Sequence, residues 1–278
     1  MLHALDERGG GSLQDRGDPP TMPGMPATGD QRVFKGLQRI SRDLVADLAG
    51  MEFAAPVNVV YNPLEYAWAP HREYLRLGRS GIDALMLGMN PGPWGMAQTG
   101  VPFGEIAHVR DYLGIHETVR RPAIEHPKRP VTGFKCTRSE VSGRRFWGWA
   151  CDTHPTPEAF FDRFFVWNDC PLAFMEESGR NRTPDRLPAA ERAPLSAACD
   201  RALRRLVDLL EPRMVIGIGG HATRRLSACL GDAVSEDPGT DRIRLGTILH
   251  PSPASPAANR DWVGTVQRQL GELGLSPD

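Results

Sequence analysis

The stretch Ala84-Leu85-Met86-Leu87-Gly88-Met89-Asn90-Pro91-Gly92-Pro93-Trp94-Gly95 decides how the chain is read. An apolar run passes without a polar break into a carboxamide, two prolines and two glycines. Such a run, closed by turn residues, reads as a strand buried on both faces, the kind found in parallel sheets. In open α/β sheets ligands sit beyond the carboxyl ends of the strands. A loop stiffened by Gly and Pro at such an end, with one amide side chain, is a candidate site.

Outward from this first run, taken as residues 84–89, three more short apolar runs have the same form: 164–167, 214–218 and 243–249. Helical patterns cover 139–151, 190–210, 221–230 and 257–273. Strands alternating with helices predict an α/β fold, a parallel sheet covered on both faces. Upstream, Leu37, Ile40, Leu44, Val45 and Leu48 recur at helical spacing within 33–51, and a short strand at 57–61 leads into a Pro-rich turn. Residues 1–30, with Gly9-Gly10-Gly11 and Pro19-Pro20, bury too little apolar surface to order and read as a disordered tail. No repeat or linker divides the rest, so 31–278 is expected to be one domain.

Composition excludes several classes. The chain has 278 residues, 40% of them hydrophobic and 24% charged, as in an ordinary water-exposed globular protein. Lys and Arg number 33 against 34 Asp and Glu, so no global basic field marks a polyanionic partner, and nucleic-acid affinity must come from local patches. No apolar run nears the ~18 residues of a membrane span, and no signal-peptide core is visible. No membrane partner is expected, and the expected location is the cytoplasm. The five cysteines (Cys136, Cys151, Cys170, Cys199, Cys229) are odd in number and contain no C-x-x-C pair, which argues against both disulfides and zinc.

The strand reading brings distant residues together. Asn90 follows the first run, Asn168 the second, Gly219-Gly220-His221 the third and His250 the fourth. Each has an ordinary alternative: a turn-forming Asn before Pro, a loop amide, a histidine that ends a strand. Together they outline a pocket with two carboxamides, an imidazole and a helix N-terminus. Paired carboxylates, a Gly-x-Ser-x-Gly elbow and a strand-end Lys are all missing from these ends. The chemistry left is one in which water attacks and an anion departs.

Two further patterns need weighing. Gly217-Ile218-Gly219-Gly220-His221-Ala222 fits the dinucleotide-binding pattern, with Asp237 about twenty residues on. The ribose-binding acid belongs at the end of the next strand, however, and that strand begins only near Ile243. A phosphate-facing helix N-terminus or a packing glycine fits the loop better. Basic residues cluster from Arg110 to Arg145 (notably Arg120, Arg121, Lys128, Arg129, Arg138, Arg144, Arg145), with Phe134, Phe146 and Trp147 among or beside them. This is either a solvated face or a local patch for a nucleic-acid backbone, to which Arg224 and Arg225 could add.

The segments Gly88-Met89-Asn90-Pro91-Gly92-Pro93-Trp94-Gly95-Met96, Asn168-Asp169-Cys170-Pro171-Leu172 and His250-Pro251-Ser252-Pro253 resemble the single-strand-selective monofunctional uracil-DNA glycosylases of the uracil-DNA glycosylase superfamily. His126-Pro127-Lys128-Arg129-Pro130 and Arg138-Ser139-Glu140-Val141-Ser142-Gly143 match as well, so the resemblance runs from about Phe34 to Leu273. It implies a three-layer α/β/α sandwich with a short, mainly parallel central sheet. It also implies a monomer that hydrolyses the N-glycosidic bond of a flipped-out base in DNA, with neither metal nor cofactor. By matching position, Asn90 would orient the attacking water and His250 would hydrogen-bond the pyrimidine O2. Phe103 would stack on the base, Asn168 would pair with its N3 and O4 edge, and Met89 and Gly92 would line it. Gly92 stands where the uracil-specific branch has a bulky aromatic, which implies room for C5 substituents such as hydroxymethyl.

Still on the resemblance, Pro251, Ser252, Pro253, Ala254 and Ser255 would wedge into the duplex, while Lys128, Arg129 and Arg138 would meet the DNA. Ala254 and Ser255 are small where relatives often carry a basic or bulkier side chain. The implied activity is removal of uracil and C5-modified uracils from single- and double-stranded DNA in base excision repair. The implied setting is a bacterial-type cytoplasm, with nucleoid association through DNA. Two rivals predict other behaviour: a catalytically weak relative that binds damaged or abasic DNA through the same pocket, and a dinucleotide-dependent enzyme.

Overall fold

The computed structural model of the chain describes residues 28–237 and 239–275. The expected disordered head therefore lies outside the described residues up to residue 27, and the first helix already occupies residues 28–30. In chain order the elements are α1 (Thr28–Leu48), β1 (Val57–Tyr61), α2 (Pro63–Tyr66), α3 (Trp68–Leu75), β2 (Ala84–Gly88), α4 (Met96–Thr99) and α5 (Ile106–Asp111). Then come α6 (Val141–Thr153), α7 (Pro157–Phe161), β3 (Phe164–Asn168), β4 (Ala173–Glu176), β5 (Asn181–Arg182) and α8 (Ala189–Leu210). The chain closes with β6 (Met214–Ile218), α9 (Gly220–Leu230), β7 (Val234–Ser235), β8 (Ile243–Ile248) and α10 (Pro256–Glu272).

The central sheet has the order β3-β2-β6-β8-β7, and all its pairings are parallel. Strands β2, β3 and β6 are buried at every position, as unbroken apolar runs require. Successive side chains then serve opposite faces. Phe164 meets Trp149 of α6 at 6.4 Å between ring centroids, while Phe165 meets Tyr74 of α3 at 5.3 Å. Helix α8 packs against α1 and α9, and α10 packs against α6.

Register sets the site. Gly88 pairs with Asn168, and Ile218 with Ile248, so the carboxyl ends of β2, β3, β6 and β8 finish nearly level. The neighbours of β2 are β3 on one side and β6 on the other, so successive connections leave it in opposite directions. The crevice beyond the ends of β2 and β6 is the switch point where such folds bind ligands.

The strand expected at 57–61 forms, and it pairs antiparallel with β4, with β5 completing a separate three-stranded sheet. Three expectations are corrected. The Pro-rich turn after β1 contains two short helices, with Pro63 at the first position of α2, where a missing N–H costs no hydrogen bond. The strands expected at 84–89 and 243–249 end one residue early, at Gly88 and Ile248, although the Met89 carbonyl still accepts the Cys170 N–H at 2.9 Å. The helix expected over 257–273 is broken at Asp261 (φ −159°, ψ 90°), whose carboxylate accepts from Gly264 N–H at 2.9 Å and starts a second segment. Among the described residues no helix is long and apolar enough to cross a membrane.

Candidate active site

A cavity of about 390 Å³ opens at the carboxyl edge of the sheet, within the size range of small-molecule pockets. Met89, Asn90, Gly92, Phe103, Asn168 and His250 line it, together with Ser252. Residues up to 163 positions apart in sequence thus meet where the parallel strands end.

Asn90 sits two residues beyond β2. Its Nδ2 donates to the Leu172 carbonyl at 3.2 Å, which fixes the amide plane and leaves Oδ1 to accept. The loop around it is clamped from three sides. Asn181 Nδ2 donates to the Pro91 carbonyl at 2.9 Å, Gln98 Nε2 donates to the Pro93 carbonyl at 2.9 Å, and Trp94 N–H donates to Glu140 Oε2 at 3.1 Å.

His250 follows β8. Ser252 N–H donates to its Nδ1 at 3.1 Å, so Nδ1 carries the lone pair and the ring proton of the neutral tautomer is on Nε2. Burial holds the imidazole at about 4, well below its ordinary 6.5, so at neutral pH it is an uncharged N–H donor. Two bonds fix the strand end behind it: Trp262 Nε1 donates to the Leu249 carbonyl at 2.8 Å, and Leu249 N–H donates to Gln269 Oε1 at 2.8 Å.

Asn168, the last residue of β3, is 5% exposed and donates through Nδ2 to Met96 Sδ at 3.1 Å. It approaches β2 closely because residue 88 is glycine: a Cβ there would overlap the Asn168 amide oxygen and lie 2.7 Å from the Phe103 ring. Phe103 itself has a left-handed backbone (φ 54°), unusual for a bulky residue and a local strain. The surroundings hold it there. Its ring stacks on Phe146 at 5.1 Å, Trp147 Nε1 donates to the neighbouring Pro102 carbonyl at 3.0 Å, and Gly143 lets α6 press against the Phe103 carbonyl.

Behind Asn168, Asp169 is raised to about 6 by burial, against the pull of Arg225, whose Nε donates to Asp169 Oδ2 at 3.1 Å. Arg225 also pairs with Asp200. Arg225 is thereby committed to an internal ion network rather than to a surface patch. Among the described residues no three His, Cys, Asp or Glu side chains come together as a metal site.

The glycines at 217 and 219 serve packing. A Cβ at Gly217 would overlap Thr223, and one at Gly219 would lie 2.9 Å from the His250 Cβ. The strand beside β6 is β8, whereas Asp237 follows the outer strand β7, one strand too far for a ribose-binding acid.

The outer residues divide. Arg129 and Arg138 both lie over the Trp94 ring, each 5.1 Å from its centroid, while Lys128 is exposed nearby in sequence; none of the three lines the cavity. Arg145 is committed inward, donating to the Pro251 carbonyl at 3.0 Å and to Asn259 Oδ1 at 2.9 Å, and Phe146 and Trp147 are core. The expected basic cluster is therefore not one continuous face. In the loop after His250, Pro251 is buried, Ser252 lines the cavity, and Ser255 Oγ caps α10 by accepting from Ala258 N–H at 3.4 Å. Pro253 and Ala254 form its exposed tip.

Glu140 and Asn181 are among the lining residues that sequence reasoning missed. The half-buried Glu140 puts its carboxyl against Gly92, and desolvation raises its pKa despite the N–H groups of Trp94 and Gly95. Asn181 comes from β5 of the small sheet and keeps a buried Oδ1 without a hydrogen-bond partner among the described residues. Glu140 stood inside a quoted motif, so the acid before a helix was the available signal. Asn181 gave none.

Comparison with known proteins agrees with this geometry. Residues 76–269 match the Uracil DNA glycosylase superfamily. The chain is 49% identical over 232 residues to the single-strand selective monofunctional uracil DNA glycosylase of Bos taurus, covering 83% of each chain. It is 49% identical over 235 residues to that of Rattus norvegicus, covering 84% of this chain and 82% of the relative. Among solved structures it is similar in fold to SMUG2 of Pedobacter heparinus, with TM-score 0.61 and 14% identity, covering 87% of this chain and 97% of that one. A carboxamide beyond β2 and a neutral imidazole beyond β8, lining one cavity in a sequence this close to those relatives over most of its length, mark the chain as a member of the single-strand selective monofunctional branch of the uracil DNA glycosylase superfamily.

Proposed function

We propose that this hydrolase removes uracil, and uracils substituted at C5 such as 5-hydroxymethyluracil, from single- and double-stranded DNA by cleaving the N-glycosidic bond, as a monomer acting in base excision repair. The observation that carries the reading is the pairing of a tethered Asn90 amide with a neutral His250 across a base-sized cavity. An amide cannot take a proton from water, so Asn90 Oδ1 orients the nucleophile by accepting a hydrogen bond. Most of the barrier reduction must come from stabilising the departing base as an anion.

His250 suits that task because it is uncharged. Its Nε2–H donates to O2 as negative charge develops, and no proton need leave the imidazole beforehand. Phe103 stacks on the base, and Asn168 reads its N3 and O4 edge, a donor and an acceptor matched by one carboxamide. Flipping the nucleotide costs a few kcal/mol and is cheapest for unpaired or mispaired bases, which favours single strands and lesions. Arg129, Arg138 and Lys128 neutralise nearby phosphates, and the tip at Pro253 and Ala254 enters the space the base vacates.

The test is release of uracil from single-stranded and duplex oligonucleotides by metal-free protein, read as alkali-labile abasic sites. Release from both, with 5-hydroxymethyluracil also removed, is the expected result. No release from uracil-containing single strands at stoichiometric protein overturns the reading, and tight binding of abasic DNA without turnover would point to a damage-binding relative instead.

A further inference from the structure

Glu140 is a half-buried acid that the proposed chemistry leaves without a task. It stands at the N-terminus of α6 yet makes no capping bond to that helix. Its side chain turns away toward residues 92–95, accepts the Trp94 N–H at 3.1 Å, and packs its Cγ against Gly95. Its oxygens lie so close to Gly92 that a Cβ there would overlap the carboxylate. It lines the cavity and forms no ion pair among the described residues. The space that glycine vacates at residue 92 is therefore occupied by a hydrogen-bonding group of this chain rather than left as open room.

We propose that Glu140 determines specificity at the C5 edge of the bound base, accepting a hydrogen bond from a donor substituent such as hydroxymethyl and disfavouring substituents that only accept or carry negative charge. This rests on the glycosylase reading, in which His250 takes O2 and Asn168 takes N3 and O4, so that C5 faces Gly92. A hydroxymethyl group then delivers its O–H to the carboxylate. A formyl group of nearly the same bulk offers only an acceptor, and a carboxyl group brings like charge. A methyl group, as in thymine, covers the carboxylate and leaves it unpaired, which is the arrangement by which polar pockets reject analogues that lack a hydrogen-bonding group. Burial raises the Glu140 pKa, as expected of a carboxyl that lacks a cationic partner.

The experiment compares single-turnover release of 5-hydroxymethyluracil, 5-formyluracil, 5-carboxyluracil and uracil from one single-stranded oligonucleotide by the wild type and by Glu140→Gln. Leaving-group acidity differs among these bases, so the readout is the change in each rate ratio on substitution. Gln keeps an oxygen for Trp94 N–H but exchanges the second acceptor for a donor. The hydroxymethyl-to-formyl ratio should fall about tenfold or more, the scale of one hydrogen bond to a charged group. The carboxyl-to-uracil ratio should rise. If Glu140→Gln does not fold, Gly92→Ala, whose methyl displaces the carboxylate, should lower the hydroxymethyl-to-formyl ratio in the same direction. Ratios unchanged within twofold, with uracil still released, overturn this proposal and leave the glycosylase reading intact. A wild type that releases no uracil overturns both.

Discussion

Two loops, each rich in proline and each leaving a parallel strand, build the cavity by opposite means. The loop after β2 (residues 90–95) is held by groups from distant parts of the chain: the Asn181 side chain from the small sheet, the Glu140 side chain from the start of α6, and the Leu172 backbone carbonyl beyond β3. The loop after β8 (residues 250–255) is held mostly by itself and by the helix it leads into. There Ser252 N–H donates to His250, Ala254 N–H to Ser252 Oγ, and Asn259 Nδ2 to the Pro253 carbonyl at 2.8 Å, with Arg145 as the one remote hydrogen-bonding side chain among the described residues. The first is a wall whose shape depends on the whole fold. The second is a local hook whose tip faces solvent.

The largest effects should come from the reacting residue of each loop. Asn90→Ala and His250→Ala should each slow uracil release by roughly 10²–10³-fold, the scale of losing one preorganised polar contact to a developing charge. Single-turnover rates, with circular dichroism to confirm folding, measure this. Unequal penalties would show which loop carries more of the barrier; full activity in both variants would remove both from the mechanism.

Acid sensitivity separates the loops next. In the folded protein His250 titrates at about 4, against 6.5 ordinarily, so between these values the unfolded chain binds the extra proton. Stability is therefore lost as pH falls from 6.5 toward 4, by about 3 kcal/mol in all. His71, also lowered to about 4 by burial, acts in the same direction, and Asp169, raised to about 6, in the opposite one. Both are retained in His250→Gln, so urea unfolding of that variant and the wild type at pH 7.5 and pH 4 isolates the His250 share. Parallel pH dependences would show that the imbalance lies elsewhere.

A smaller effect tests the remote clamp. Asn181→Ala frees the Pro91 carbonyl and should lower kcat about tenfold by loosening Asn90, the order expected when a catalytic group is mispositioned. Unaltered kcat would mean that the first loop is as self-supporting as the second. The smallest effect concerns the hook. Ala254→Arg should tighten duplex binding a few-fold and steepen the salt dependence of log Kd by about one unit, as one added phosphate contact does. A changed affinity without a changed slope would mean that the tip does not approach the backbone.

The same contrast explains what the sequence revealed. The strands β2, β3, β6 and β8 were legible because a strand buried on both faces writes itself as an apolar run, and Asn90, Asn168 and His250 were legible because they directly follow or end such runs. The small sheet was not. The link between β1 and β4 joins residues more than a hundred positions apart, and no local pattern records it. Glu140 and Asn181 escaped for the same reason, since their partners lie 46 and 90 positions away. The break in α10 left a trace that periodicity hid: Asp261 followed by Gly264 is a helix start inside an apolar rhythm that reads as one helix.

Trp94 has a consequence of another kind. Trp147, Trp149, Trp167 and Trp262 are buried, and Trp68 lies in α3, so Trp94 is the one indole in the strand-end loop. With two guanidinium groups over its ring, its emission depends on where those cations sit. Phosphates that draw Arg129 and Arg138 away would alter that emission before any bond is cleaved. Stopped-flow fluorescence during mixing with DNA should then show a phase that precedes base release, with Trp94→Phe as the blank.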